Sequence, residues 1–196
     1  MDLDALTHGQ PATARLFVVW LHGHGMSPED FAPFAPSLSV PAAFHLLRAP
    51  HALASGGQAW WARDAEVAAR RGGPPWDLAD ERPPGREAVR GALARYLNAL
   101  APLRAGRPLL LAGFSQGGML ACDTVLHEQV DISALALLSS CRIAFDDWQP
   151  RLQRLAGLPV LVTHGRHDER LAFSAGEALC DAVRAGGADT EWLPFD

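Results

Sequence analysis

The sequence predicts an α/β fold with a mostly parallel central sheet, on three observations. Apolar runs of strand length recur along the chain, helix-like segments separate them, and most of the runs are near-continuous rather than alternating, as in strands covered on both faces. The chain has 196 residues, 48% of them hydrophobic, enough for a single domain with a substantial core over residues 1–196. The longest unbroken apolar runs, such as 16–21 and 134–138, fall well short of the roughly 20 residues that cross a bilayer.

In chain order, residues 15–21 and 44–48 are the first two strands. Between them Ser27-Pro28-Glu29-Asp30 opens a helix, with Ser27 as N-cap, Pro28 in the first turn and two acids near the positive dipole end. Phe31, Phe34 and Leu38 follow on one face. Pro and Gly clusters at 72–76 and 82–85 bracket an irregular stretch, a loop that reads equally well as a binding-site wall or a surface insertion. Residues 86–103 then form a helix with Val89, Leu93, Leu97, Leu100 and Leu103 as its apolar stripe. Strands at 109–114, 134–139, 160–163 and 190–195 follow, with helices at 119–128 and 169–184, the latter closed by Gly186-Gly187.

Charge and composition narrow the functional classes. The formal net charge is −5 with no basic run, which argues against nucleic acid or an anionic membrane as the main partner. The start, Met1-Asp2-Leu3-Asp4, lacks the basic and apolar segments of a secretory signal, so a cytoplasmic protein without stable membrane insertion is expected. Cys122, Cys141 and Cys180 are odd in number and lack metal-type spacing, favouring reduced thiols over a disulfide framework.

The segment Gly113-Phe114-Ser115-Gln116-Gly117-Gly118 follows directly on a strand and opens a helix, which is the context G-x-S-x-G requires. Ser115 is therefore the candidate nucleophile, on a sharp turn where Gly113 and Gly117 keep side chains away. The helix N-terminus behind it supplies unpaired N–H groups suited to a developing oxyanion. A second turn, Leu21-His22-Gly23-His24-Gly25, ends the first strand on the same sheet edge, so the main-chain N–H groups of His24 and Gln116 form a candidate oxyanion hole. A third, His164-Gly165-Arg166-His167-Asp168, brings Asp168 to that edge as the candidate acid, with capping of the following helix as a compatible second role.

Together with Arg48-Ala49-Pro50 and Gly56-Gly57-Gln58-Ala59-Trp60-Trp61, these motifs resemble, in order and spacing, the phospholipase/carboxylesterase family of α/β-hydrolases, which includes the acyl-protein thioesterases. The resemblance implies an α/β-hydrolase fold with helices on both faces of the sheet and a Ser–Asp–His triad. It implies hydrolysis of small-molecule carboxylic esters or thioesters without a cofactor or metal. It assigns Ser115 as nucleophile, Asp168 as acid, the N–H groups of His24 and Gln116 as oxyanion hole, and Trp60 and Trp61 to the neighbourhood of the acyl pocket. On residue type alone, the two tryptophans read equally as one core and one surface aromatic.

In that family the catalytic histidine follows the last core strand and is itself followed by a helix, whereas this sequence ends at Leu193-Pro194-Phe195-Asp196, two or three residues earlier. Of the eight histidines, His167 adjoins Asp168 but its side chain diverges from it, His22 suits an ordering role in the oxyanion loop, and His164 suits a structural hydrogen bond. A metal site joining His22, His24, His164, His167 and Asp168 is a further reading, but it leaves the serine elbow unexplained. The expectation is therefore a serine hydrolase whose base lies just beyond Asp196 and whose residues 1–196 are C-terminally incomplete and inactive alone. The competing expectation is an inactive relative that binds acyl ligands or a protein partner.

Overall fold

The computed structural model describes residues 1–37, 40–62 and 72–196. Among these, a seven-stranded sheet runs in the order β1-β3-β2-β6-β7-β8-β9. Its strands are β1 (Ala5–His8), β2 (Leu16–Leu21), β3 (Ala42–Leu47), β6 (Leu109–Phe114), β7 (Ala134–Leu138), β8 (Pro159–Gly165) and β9 (Asp189–Phe195). Only β1 is antiparallel to its neighbour, β3; every other pairing is parallel. A two-stranded ribbon, β4 (His51–Ala52) with β5 (Gln58–Ala59), lies outside that sheet. The mostly parallel architecture agrees with the sequence pattern, and the six expected strands differ from the observed ones by no more than three residues at either end. β1, with its polar residues Thr7 and His8 and its exposed face, carries no apolar run that a sequence reading could find.

Alternation along β2 sorts its side chains onto two faces. Phe17, Val19 and Leu21 enter the larger core with Val89, Leu93 and Leu97 of α2 (Arg86–Ala99), Leu120 and Leu126 of α4 (Gln116–His127) and Leu179 and Val183 of α6 (Phe173–Ala185). Val18 packs on the other face with Phe44, Leu46 and Ala35, supported by Phe31 of α1 (Pro28–Phe31).

Three helix expectations need correction. The segment opened by Ser27 lasts one turn, held by Asp30, whose carboxylate accepts from the Ser27 N–H at 2.6 Å; Phe34 is 61% exposed, and Leu38 lies outside the described residues. The helix expected at 86–103 stops at Ala99, and a short α3 (Ala101–Arg104) follows, because Pro102 has no N–H for the continuing ladder. Leu103 accordingly leaves the stripe and is 44% exposed. The helix expected from 169 begins only at Phe173, because Asp168 Oδ1 accepts the N–H groups of Arg170 (2.7 Å) and Leu171 (3.0 Å) and holds 168–171 as a turn. A further single turn, α5 (Phe145–Trp148), precedes β8.

Candidate active site

Ser115 is the hinge between β6 and α4, with φ +51° and ψ −117°. A non-glycine residue in that region stores backbone strain, so the surroundings must hold it there. Its N–H donates to Leu138 O of β7 (2.8 Å), and its carbonyl accepts from Gly118 N (3.0 Å), Met119 N (3.2 Å) and Ser140 Oγ (3.0 Å). The glycines make this possible by their lack of volume. A Cβ on Gly117 would collide with the carbonyl oxygens of Leu21 and His22, and one on Gly113 would lie 2.5 Å from Gly118 N. The elbow is thus pressed against the end of β2, and the loop of His22 to Gly25 begins at that same point.

His22, at the start of that loop, is 1% exposed and committed on both ring nitrogens. Nδ1 donates to Gly23 O (2.8 Å) and Nε2 accepts from Ala49 N (3.2 Å), while the His22 carbonyl accepts from Trp60 Nε1 (2.8 Å). Burial, the largest influence, holds its pKa below the ordinary imidazole value. The ribbon secures the loop from outside: Gly25 N donates to Gln58 O (2.8 Å), Gln58 N donates to Met26 O (2.9 Å), and Gly57 packs on the Gly25 carbonyl.

The Gln116 side chain ties down the tryptophans. Oε1 accepts from Trp60 N (2.9 Å) and Nε2 donates to Trp61 O (3.1 Å). Gln116 is the first residue of α4, a position whose main-chain N–H has no intrahelical acceptor.

A cavity of about 210 Å³ opens over the elbow, lined among others by Ser115, Gln116, His24, Trp61 and Asp168. Trp60 does not line it. It is fully buried, its indole N–H spent on the His22 carbonyl, so it braces the loop of His22 to Gly25 rather than lining the cavity. Phe114, Met119, Leu171, Trp76 and Leu78 complete an apolar wall, with Glu81 and Arg170 also contributing. The last two apolar residues and Glu81 come from the irregular 72–85 loop, which the structure makes a cavity wall. It is stitched to the turn at 168–171, which carries the candidate acid Asp168, by Trp76 N to Arg170 O (3.0 Å) and Ala172 N to Trp76 O (2.9 Å). Arg170 in turn stacks its guanidinium 5.6 Å from the Trp76 ring centre. A tryptophan inside a Pro/Gly-rich stretch was the signal available in the sequence.

Asp168 follows β8 and lines the cavity, while its Oδ1 holds its own turn. His164 is wholly buried beneath it, with Nε2 3.2 Å from Leu171 O and 3.5 Å from Asp168 Oδ2. His167 is exposed and absent from the cavity lining. Among the described residues, no group of three His, Cys, Asp or Glu side chains is arranged to hold a metal ion, so the histidines of the two turns do not converge. No described helix is long and apolar enough to cross a membrane.

Residues 98–191, which carry β6, the elbow, β7, β8 and the acid turn, match the model of the phospholipase/carboxylesterase family. Solved structures with the same fold include esterase PE8 (23% identity, TM-score 0.79, covering 99% of this chain and 89% of that one). Zea mays acyl-protein thioesterase 2 is similar at 20% identity and TM-score 0.76, covering 98% and 89%. A carboxylesterase from Mesorhizobium loti is similar at 19% identity and TM-score 0.75, covering 97% and 84%. The chain therefore has the α/β-hydrolase fold, and it resembles the phospholipase/carboxylesterase family, whose model matches it through both the Ser115 elbow and the Asp168 turn.

Proposed function

We propose that this chain is a serine hydrolase that cleaves small carboxylic esters or thioesters through an acyl-enzyme intermediate. The observation that carries the reading is Ser115, held at φ +51° where β6 meets α4, on a cavity shared with Asp168 and the His24 turn. Strain at such a residue is maintained only where the surroundings over-determine it, and here they aim a hydroxyl at an apolar cavity.

In this reading Ser115 Oγ attacks the acyl carbonyl carbon and passes its proton to a histidine base. The carbonyl oxygen becomes an oxyanion held by the N–H groups of Gln116 and His24, the first of them at the positive end of the α4 dipole. Collapse expels the alcohol or thiol, which takes the proton from the imidazolium; water then attacks the acyl-serine by the same route and releases the acid. Asp168 Oδ2 orients the base and stabilises its charged form. Trp61 and the Trp76 loop form the apolar wall that receives the substrate, and no cofactor takes part.

The base is placed beside Asp168, where β9 ends. Support comes from the topology: β9 runs parallel to β8, Phe195 pairs with Gly165, and Arg166 N donates to Phe195 O (2.8 Å), so the end of β9 lies beside the acid turn. His22 and His164 point their rings at backbone partners instead.

The test is hydrolysis of p-nitrophenyl butyrate by the protein, alongside its Ser115→Ala variant. Loss of activity in Ser115→Ala on the order of 10⁶-fold is expected. Equal rates in Ser115→Ala and the parent overturn the serine assignment. Binding of the ester without turnover favours the non-catalytic acyl-binding reading.

A further inference from the structure

His164 is the one wholly buried histidine of the described residues, and the proposed chemistry gives it no part. Its ring fills the space that Gly176 of α6 leaves open, where a Cβ would lie 2.6 Å from the ring Cγ, and it meets the Phe173 ring edge-on at 6.1 Å. Nδ1 faces this packing with no hydrogen-bond partner among the described residues. Nε2 has two neighbours, Leu171 O at 3.2 Å and Asp168 Oδ2 at 3.5 Å. Both are acceptors, so the ring proton belongs on Nε2.

An apolar side chain of similar size would fill this site without desolvating an imidazole and leaving Nδ1 unpaired. What the ring adds is a single donor, and that donor is spent on the acid turn. The Leu171 peptide is gripped from both ends: its N–H donates to Asp168 Oδ1 (3.0 Å) and its carbonyl accepts from His164 Nε2. Leu171 is also part of the cavity wall.

We propose that His164 is a positioning residue: through Nε2–H it clamps the Leu171 carbonyl, and with it the turn that aims Asp168 Oδ2 at the base. The inference rests on the triad reading above. His164 does not exchange its proton with substrate or with the reacting serine. It keeps the carboxylate from rotating with its turn, and misplacement of a catalytic group by about 1 Å costs on the order of 100-fold in rate.

Two variants and one spectroscopic measurement test it. In the protein, His164→Leu is expected to lower kcat roughly ten- to a hundred-fold with KM within about twofold, and His164→Gln, which keeps an N–H donor, is expected to recover most of the loss. In a Ser115→Ala background, where activity is irrelevant, ¹⁵N-resolved NMR should show His164 protonated at Nε2, with a slowly exchanging proton that shifts on Asp168→Ala. A ring proton on Nδ1, or no shift on Asp168→Ala, overturns the clamp even if His164→Leu fails to fold. Unchanged kcat in folded His164→Leu overturns it as well. Absence of any Ser115-dependent hydrolysis in the parent protein overturns the triad reading and this role with it, whereas Ser115-dependent hydrolysis indifferent to His164 overturns the positioning role alone.

Discussion

Replacing Asp123 with Ala tests what holds α4, the helix behind Ser115, in place. Asp123 lies on the core-facing side of α4 with no solvent exposure, and accepts from Trp148 Nε1 at 2.7 Å and Arg90 at 3.2 Å, with Arg86 at 3.5 Å and His127 at 3.3 Å. Trp148 is itself fully buried, so the substitution strands an indole N–H, costing about 1–3 kcal/mol. Breaking a buried ion pair typically costs about 3–5 kcal/mol, but Arg86 keeps Asp147 and Arg90 keeps Glu128, which places the total near the lower end, about 3 kcal/mol. For a domain of this size each kcal/mol lowers Tm by roughly 2–4 °C, so a fall of about 6–12 °C is expected by scanning calorimetry. The exposed neighbour Asp146, paired with Arg82 at the rim, serves as comparison, and its alanine variant should melt close to the parent. A fall of less than about 2 °C for Asp123→Ala would show that the cluster neither anchors α4 nor excludes water.

Gly117→Ala is expected to abolish Ser115-dependent hydrolysis and to destabilise the fold by at least the 1–3 kcal/mol typical of overpacking, since the new Cβ meets the Leu21 and His22 carbonyls rather than a yielding side chain; near-parent activity and Tm would contradict the elbow packing. Ser115→Gly should end hydrolysis yet raise stability by about 1 kcal/mol in urea titrations, because glycine tolerates φ +51°; a lower midpoint would argue that the backbone there is unstrained. Burial holds His22 and His45 below the ordinary imidazole pKa, so below about pH 6.5 the unfolded chain binds more protons than the folded one. Their contribution is complete above that pH and is lost as pH falls toward the folded values; urea unfolding from pH 7 to pH 5 should show declining stability, and a flat profile would count against it. Trp76→Ala should raise KM for p-nitrophenyl butyrate several-fold with a smaller change in kcat, and an unchanged KM would remove the loop from the binding wall.

The strands and the elbow were legible because their signals are local. A central parallel strand writes itself as an unbroken apolar run, and a serine between glycines after such a run leaves little else for the backbone to do. Residues 169–184 looked helical from the start, and nothing local showed that Asp168 would spend Oδ1 on two N–H groups and delay the helix to Phe173. Trp60 and Trp61 are indistinguishable as sequence neighbours. Their different fates depend on Gln116 and His22, residues 56 and 38 positions away in the chain.

The sequence by itself determined the fold class, the strand that carries Ser115, and the glycines that surround it, since each follows from periodicity or from the steric needs of one turn. Only the tertiary structure decided that the 72–85 loop walls the cavity, that Trp60 is a brace and Trp61 a lining residue, and that His164 lies beneath the acid turn. These outcomes rest on pairings between distant segments, where one hydrogen bond or one missing Cβ selects among arrangements that local propensity leaves equal.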